Sequence, residues 1–461
     1  MFIHKFFLNN LYIVLDINSG AVHSVDKLIY DLLDVYDGSD ESTDRAKEAF
    51  KNRYNLDDVE EALSELSELK ANGLLFVPAP PVPTLFQQKT PVKSLCLNVA
   101  HDCNLRCKYC FASTGSFGNK RELMDFETGK AAVEFLIKNS QDRNNLEIDF
   151  FGGEPLLNID NVKKLITYIR KREKETDKEF SLTLTTNAAL LTDEITEYLN
   201  ENEISLVLSL DGREDVHDFM RPYSNGQASY NDIIGNIKRA VNSRNDQNYY
   251  IRGTYTKNNL DFAADVIHMA DQGFTQLSVE PVVGDKFLEK FKIQEEDIPI
   301  LEAEYEKLTL EFLDRHKKGK GFNFFHFNID LENGPCLVKR LRACGSGYEY
   351  FAVDPKGDIY PCHQFVGQEE FLLGNVFAGA VNEEISAKFK QAYVFNKPKC
   401  RECWARFYCS GGCQANNILI NKDILEPYEI GCRLQKKRLE CAIMIQVFNA
   451  LCEDENSTKV I

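Results

Sequence analysis

From residue 94 to residue 283 the chain alternates strand-like runs with amphipathic helical runs, and this pattern constrains its fold more than any other feature. The strand-like runs are SLCLNVA (94–100), LEIDFFGG (146–153), SLTLTTNA (181–188), ISLVLSLDG (204–212), YYIRGTYT (249–256) and TQLSVEPVV (275–283). Helical patterns such as FETGKAAVEFLIKN and NVKKLITYIRKREK stand between them. Antiparallel neighbours need only a turn, whereas parallel neighbours need a long crossover. The alternation therefore predicts a mostly parallel α/β sheet. Such sheets bind ligands at the carboxyl ends of their strands, so chemistry is expected in the loops that follow each run.

The first of these loops reads CNLRCKYC, with Cys103, Cys107 and Cys110. Three buried free cysteines would account for it, as would a zinc site completed by His101 or a remote cysteine. A sharper reading of CxxxCxxC is a metal centre one protein ligand short. Three thiolates would hold three irons of a [4Fe–4S] cluster, leaving the fourth iron open to a small molecule. FFGGEP ends the second strand with Gly152, Gly153 and Glu154; alone it is a strand–turn signal in which glycine serves the backbone. TTNA, with Asn187, ends the third strand. SLDG ends the fourth with Ser209, and Arg221 follows twelve residues later.

A length of 461 residues exceeds one ordinary core and predicts two or three domains. Residues 1–77 form a first unit: a hairpin around Asn18-Ser19-Gly20, then helical runs in KLIYDLLDVY and DVEEALSELSELKANGLLF. Such a unit is either a plain α+β domain or a module that accepts an extended peptide at a sheet edge. A proline-rich linker (78–93) precedes the core of 94–320. From 321 to 452 glycine and cysteine rise and periodicity weakens, which predicts a small domain held together by metal.

The formal charge of −17 argues against a nucleic-acid partner, which needs a basic footprint. No apolar run is long enough to predict a membrane span. The apolar stretch near residue 1 is interrupted by Asn9, Asn10 and Asp16, unlike a secretory signal. A reducing, cytoplasmic setting is expected, where the clusters among 14 cysteines are metal ligands or catalytic groups more often than disulfides. A second cysteine field contains Cys344 and Cys362, then CRECWARFYCSGGC with Cys400, Cys403, Cys409 and Cys413, then Cys432. CxxC pairs by themselves suit zinc ribbons. Cys96, Cys441 and Cys452 lie outside both fields and are read as core cysteines.

The CxxxCxxC loop with Tyr109 before its third cysteine, the GGE loop, the TTNA end and the Ser209…Arg221 pair together resemble the radical S-adenosylmethionine (SAM) enzymes. The resemblance implies a partial (β/α)6 TIM-like barrel. It implies that Cys103, Cys107 and Cys110 hold the cluster that reduces SAM, the open iron chelating SAM's methionine part. Tyr109, Gly152, Gly153, Glu154, Asn187, Ser209 and Arg221 are then expected to line the SAM pocket. Glu154 would attract the ammonium, while Ser209 and Arg221 would hold the carboxylate and ribose region. The second field resembles the SPASM extension of peptide-modifying members, which implies two auxiliary clusters and three [4Fe–4S] clusters in all. Cys344, Cys362 and Cys413 would hold the first, and Cys400, Cys403, Cys409 and Cys432 the second. Cys336 either completes the first or leaves it with an iron open to a substrate thiolate.

LNVAHDCNLRCKYCFASTGSFG, CLVKRLRACGSGYEY and YPCHQF are similar to maturases of SCIFF peptides. This narrower resemblance implies an intramolecular thioether between a cysteine sulfur and a carbon of another residue in a ribosomally made, cysteine-rich precursor. It implies a winged-helix-like domain at residues 1–77 that binds the precursor's leader, and an electron donor such as flavodoxin or ferredoxin. Two other readings stand beside it: oxidation of cysteine or serine to formylglycine, and a non-catalytic zinc-bound peptide scaffold. Anaerobic sulfatase maturases carry aspartate immediately after the cysteine equivalent to Cys362. Here that residue is His363, which weakens the formylglycine reading. The GGE, TTNA and SLDG loops are not features that a zinc scaffold predicts.

Overall fold

The computed structural model describes residues 3–81, 90–284, 289–331, 341 and 343–457. All six expected strands are present: β4 (Ser94–Ala100), β5 (Asn145–Gly152), β6 (Glu179–Thr186), β7 (Ser205–Ser209), β8 (Tyr249–Tyr255) and β9 (Gln276–Pro281). Each pairs in parallel with the next. Between them run α4 (Phe126–Asn139), α5 (Ile159–Glu175), α6 (Asp193–Glu201), α7 (Glu214–Met220), α8 (Tyr230–Ser243) and α9 (Phe262–Asp271), with α10 (Ile298–Lys317) after β9. Local signals fix the helix starts: Asp125 accepts from the Thr128 N–H at the head of α4, and Thr192 from the Ile195 N–H at the head of α6. Every residue of β4 is buried, which explains its unbroken apolar run. Leu95, Leu97 and Val99 pack into the core with Leu136 and Leu165, while Cys96 lies with Ala352, Tyr360 and Phe365 on the opposite face.

The segment after residue 320 adds strands to both edges of the same sheet. Asn323–Phe324 (β10) pairs with β9 at one edge of the sheet, and Tyr350–Val353 (β11) pairs in parallel with β4 at the other. Three more short antiparallel strands, β12 (Asp358–Tyr360), β13 (Gly374–Asn375) and β14 (Ala380–Val381), extend a single sheet of 11 strands among the described residues. The physical reason is β4 itself. As the first strand of a sequentially wound sheet it would present a fully apolar open edge, and β11 covers it. Strands of two to four residues are too short to show an alternating pattern, so this region looked irregular in sequence. A final helix, Glu429–Ser457, packs on α10.

The first unit is an antiparallel sheet, β1 (Ile3–Leu8), β2 (Leu11–Asp16) and β3 (Val22–Val25), followed by α1 (Lys27–Leu32), α2 (Asp40–Phe50) and α3 (Leu56–Ala71). The hairpin expected around Asn18 joins β2 and β3, and β1 adds a strand before it. Along β2, Val14 packs under the helices with Leu32, Leu63 and Leu66, whereas Ile13 and Leu15 enter the main core. This sheet is thus covered on both faces, so residues 3–77 are welded to the rest of the protein instead of hanging from a linker. His4 stacks on Trp404 with ring centroids 3.8 Å apart, and Arg406 donates to the buried Asn18 side chain at 2.5 Å. Among the described residues no helix is long and apolar enough to cross a membrane.

Candidate active site

The three-cysteine loop leaves β4 and is pinned on both sides. The N–H groups of Arg106 and Lys108 donate to the carbonyls of Pro222 (2.8 Å) and Met220 (2.9 Å), laying the loop along the segment that follows α7. This brings Arg221 beside Tyr109. On the other side the Gly153 and Glu154 N–H groups donate to the carbonyls of Ala100 (2.8 Å) and Asp102 (2.9 Å). The approach is close enough to require glycine. A Cβ at Gly152, whose φ is +134°, would lie 2.4 Å from the Ala100 oxygen, and one at Gly153 would lie 2.2 Å from the Asp102 oxygen.

Glu154, unlike Gly152 and Gly153, is not among the residues that line the cavity at these strand ends. Its carboxylate is fully buried and accepts from the Thr186 hydroxyl (2.7 Å), the Asn187 N–H (2.8 Å) and the Leu156 N–H (3.0 Å). It therefore ties the GGE loop to the TTNA loop. Burial pushes its carboxyl up to about 7 even against these donors. Asn187 turns its side-chain amide to Asn104 (2.8 Å) and to the Cys103 sulfur (3.6 Å), and the Leu105 N–H also points at that sulfur (3.4 Å). Amide donors of this kind orient a thiolate ligand and lower its charge density.

Arg221 and Tyr109 meet at a residue that the sequence reading passed over. Asp211 is fully buried and accepts from Arg221 (2.9 Å), the Tyr109 hydroxyl (2.6 Å) and the Thr254 N–H (3.0 Å). One carboxylate thus gathers the cysteine loop, the segment after α7 and the end of β8. The SLDG run had been read for Ser209 alone, and a charged side chain inside an otherwise apolar strand end was the signal that could have found Asp211. His101, weighed as a zinc ligand, is stacked on Phe117 at 4.8 Å with both ring nitrogens buried and unpaired among the described residues. It lies behind the loop, not in the site.

These strand ends surround a cavity of about 550 Å³. Cys103, Cys107, Cys110 and Tyr109 line one side with the Gly152–Gly153 backbone, Asn187, Ser209 and Arg221. His363, Cys413 and Asn416 also line the cavity, and Arg252 and Glu280 line the wall contributed by β8 and β9. Glu280 accepts from Arg252 at 2.6 Å. His363 is held by the Tyr350 hydroxyl at 3.1 Å and packs near Phe151 and Phe111; burial, with Arg252 nearby, drops its pKa to about 4.

The second cysteine field holds two neighbouring groups, which meet where Cys409, Cys413 and Cys432 line one pocket. Cys362 lies within electrostatic reach of Cys413 and Cys344. Cys432 lies within reach of Cys409 and Cys400, and Cys400 of Cys403. Cys400, Cys403, Cys409 and Cys432 line one common pocket. Cys344 and Cys413 are exposed, whereas Cys362 is buried. The chain passes from one group to the other between Cys409 and Cys413 through Ser410, Gly411 and Gly412, all left-handed with φ of 59°, 87° and 72°. Three such residues in a row explain the SGG run. Cys336 lies outside the described residues. Cys96 and Cys441 are fully buried, as core cysteines should be, but Cys452 is only half-buried.

Two family models match the chain: the radical SAM superfamily over residues 97–264 and the SPASM iron–sulfur cluster-binding domain over residues 344–404. The chain carries a radical SAM domain followed by a SPASM domain. It is 26% identical over 335 residues to a cysteine-type anaerobic sulfatase-maturating enzyme of Clostridium novyi, covering 68% of this chain and 86% of that one. It is 22% identical over 343 residues to the radical SAM cyclopropyl synthase TigE of Paramaledivibacter caminithermalis, covering 70% and 68%. In fold it is similar to a structure of anSMEcpe with bound AdoMet (TM-score 0.64, 21% identity, 80% of this chain and 96% of that one). It is also similar to Streptococcus suis SuiB bound to S-adenosylmethionine (TM-score 0.51, 16% identity, 93% and 98%).

The donor sets suit the cofactors that a radical SAM protein with a SPASM domain implies. Burial pushes the Cys103 and Cys107 thiols, and that of Cys432, up to about 12, so without a cation they stay protonated. Thiolates in such a place need metal charge beside them. Among the described residues no three His, Cys, Asp or Glu side chains converge on one point as ligands of a single ion would. Cys103, Cys107 and Cys110 share one pocket, and Cys400, Cys403, Cys409 and Cys432 another, an arrangement with room for multi-iron clusters.

Proposed function

We propose that this protein forms an intramolecular thioether in a ribosomally made, cysteine-rich precursor peptide of the SCIFF type. The observation that carries the reading is one cavity lined both by Cys103, Cys107 and Cys110 and by Cys413 and His363. Cys103, Cys107 and Cys110 would hold a [4Fe–4S] cluster, and the two downstream groups would hold auxiliary clusters. With SAM bound, these would supply a 5′-deoxyadenosyl radical and an electron acceptor.

The chain's own residues do the rest. Gly152 and Gly153 let the GGE loop lie against the cysteine loop, and Arg221, fixed by Asp211, offers an otherwise unpaired buried Nε at the cavity edge. The exposed Cys413 lines the cavity where a substrate thiol would be held. Cross-linking removes two hydrogens from the peptide: a hydrogen atom from the acceptor carbon, then a proton from the thiol with one electron left over. Glu280 is the one carboxylate among the described cavity-lining residues and is placed to take that proton. His363 stands where a formylglycine-forming enzyme carries an acid, and its depressed pKa leaves a neutral ring there. The leader would add as a strand to the β1–β2–β3 sheet.

Anaerobic incubation with SAM, a reductant and a cysteine-rich precursor tests the reading by tandem mass spectrometry. A peptide lighter by two hydrogens, with one thiol blocked to alkylation, is expected. An aldehyde-bearing product would support formylglycine formation instead, and a colourless, iron-free protein would favour the zinc scaffold.

A further inference from the structure

Lys397 is fully buried, and no carboxylate among the described residues explains its charge. Its Nζ donates to the carbonyl of Gly411 at 2.8 Å. Gly411 is the middle residue of the left-handed turn that hands the chain from Cys409, in one SPASM group, to Cys413, in the other. Gly411 is two residues from both Cys409 and Cys413, and the ammonium lies within electrostatic reach of sulfurs from both groups: Cys400, Cys409, Cys413 and Cys432. Burial by itself lowers the pKa of this lysine, and those four sulfurs oppose that effect. A buried ammonium beside a lone carbonyl is costly, and it is retained where a negative group compensates it. Clusters ligated by thiolate are such groups.

We propose that Lys397 is the countercharge of the SPASM cysteine groups, raising the reduction potential of the clusters they hold and so favouring electron transfer out of the substrate. The inference rests on the reading that these groups hold iron–sulfur clusters. A fixed positive charge in a dry site stabilises the more negative, reduced state of a cluster. Lys399 supplies the internal comparison. It lines the same pocket as Cys400 and Cys432, yet its side chain is 59% exposed and paired with Glu426, so solvent screens its charge.

The test uses the full chain, loaded with iron and sulfide, in wild-type, Lys397→Met, Lys397→Gln, Lys397→Arg and Lys399→Gln forms. Iron and sulfide per chain are measured first, then reduction is followed by potentiometric titration with electron paramagnetic resonance. If the wild type binds too little iron for auxiliary clusters, the underlying reading fails, whatever the lysine does. If all forms load alike, Met and Gln at 397 should lower the reduced-to-oxidised ratio of an auxiliary signal about tenfold at fixed potential, equivalent to ~59 mV for a one-electron couple. Arg at 397 and Gln at 399 should stay near wild type. Equal potentials in all five, or an equal shift in Lys397→Arg, would overturn the proposal. Loss of iron from both neutral variants with full loading of Lys397→Arg would support it; loss from all three would assign Lys397 a packing role and overturn it.

Discussion

Replacing Asp211 by asparagine tests how the cavity is assembled. Asparagine keeps an acceptor for Arg221 and Thr254, both of which donate to the same carboxylate oxygen at 2.9 and 3.0 Å. It removes the negative charge and turns an amide N–H toward the Tyr109 hydroxyl. Unit charges about 4 Å apart at an effective dielectric of about 20 attract by ~4 kcal/mol. Part of that is recovered because a carboxylate is no longer desolvated, but a buried guanidinium is left uncompensated. Breaking one side of such a pair costs about 3–5 kcal/mol in measured cases. Asp211→Asn should therefore lower unfolding stability by about 3 kcal/mol and weaken SAM binding, because Arg221 and Tyr109 lose their common anchor. Denaturant unfolding gives the first quantity and calorimetric SAM binding to the reconstituted protein the second. A double mutant with Arg221→Met should regain at least ~1 kcal/mol over the sum of the singles. Additive losses, or a single-mutant cost below ~1 kcal/mol, would refute the claim that one buried charge pair organises this wall.

Alanine at Cys103, Cys107 or Cys110 should abolish SAM cleavage, whereas alanine at Cys400 and Cys403 should leave some cleavage and stop cross-linking; 5′-deoxyadenosine and product are quantified side by side. Gly153→Ala places a methyl 2.2 Å from the Asp102 oxygen and should cost about 1–3 kcal/mol or more while displacing the cysteine loop, read as lower iron content and a lower unfolding midpoint. Glu280→Gln should leave deoxyadenosine formation within about twofold but slow cross-linking roughly 10²-fold, the usual weight of a positioned base. Asp354 is buried and its carboxyl is pushed up to about 6 from 3.8. The folded state therefore loses up to ~3 kcal/mol as pH rises from about 4 to about 6 and nothing further above that. Asp354→Asn keeps an acceptor for the Lys356 and Asp358 N–H groups, so it should gain stability relative to wild type across that window; a constant difference would contradict the assignment.

The sheet was legible because each core strand is an apolar run set between amphipathic helices, a pattern carried by neighbouring residues. The same holds for the cysteine and glycine loops, whose spacing is local and whose glycines answer to close backbone approach. What escaped the sequence lies in pairings between distant residues. Tyr109 meets Asp211 across 102 residues, and no local pattern marks such a bond. Glu154 joins the GGE and TTNA loops, buried and held by three donors, one of them 33 residues away, and no spacing within GGE marks that tie. The strands β11–β14 are too short to carry a period, yet they close the edge that β4 opens. Residues 3–77 looked detachable because their helices have a core of their own, and only the second face of β2 shows that they are not. Deleting them would remove Ile13 and Leu15 and expose the part of the main core that these two cover, so leader docking is better probed by comparing precursors with and without a leader on the intact protein.

The central claim is that hydrogen abstraction and sulfur capture share the cavity between Cys107 and Cys413. A precursor deuterated at the acceptor carbon measures this directly. The label should appear in 5′-deoxyadenosine in one-to-one proportion with thioether formed and thiol lost. Cross-linked peptide that retains its deuterium, or labelled deoxyadenosine with every thiol still free, would contradict it.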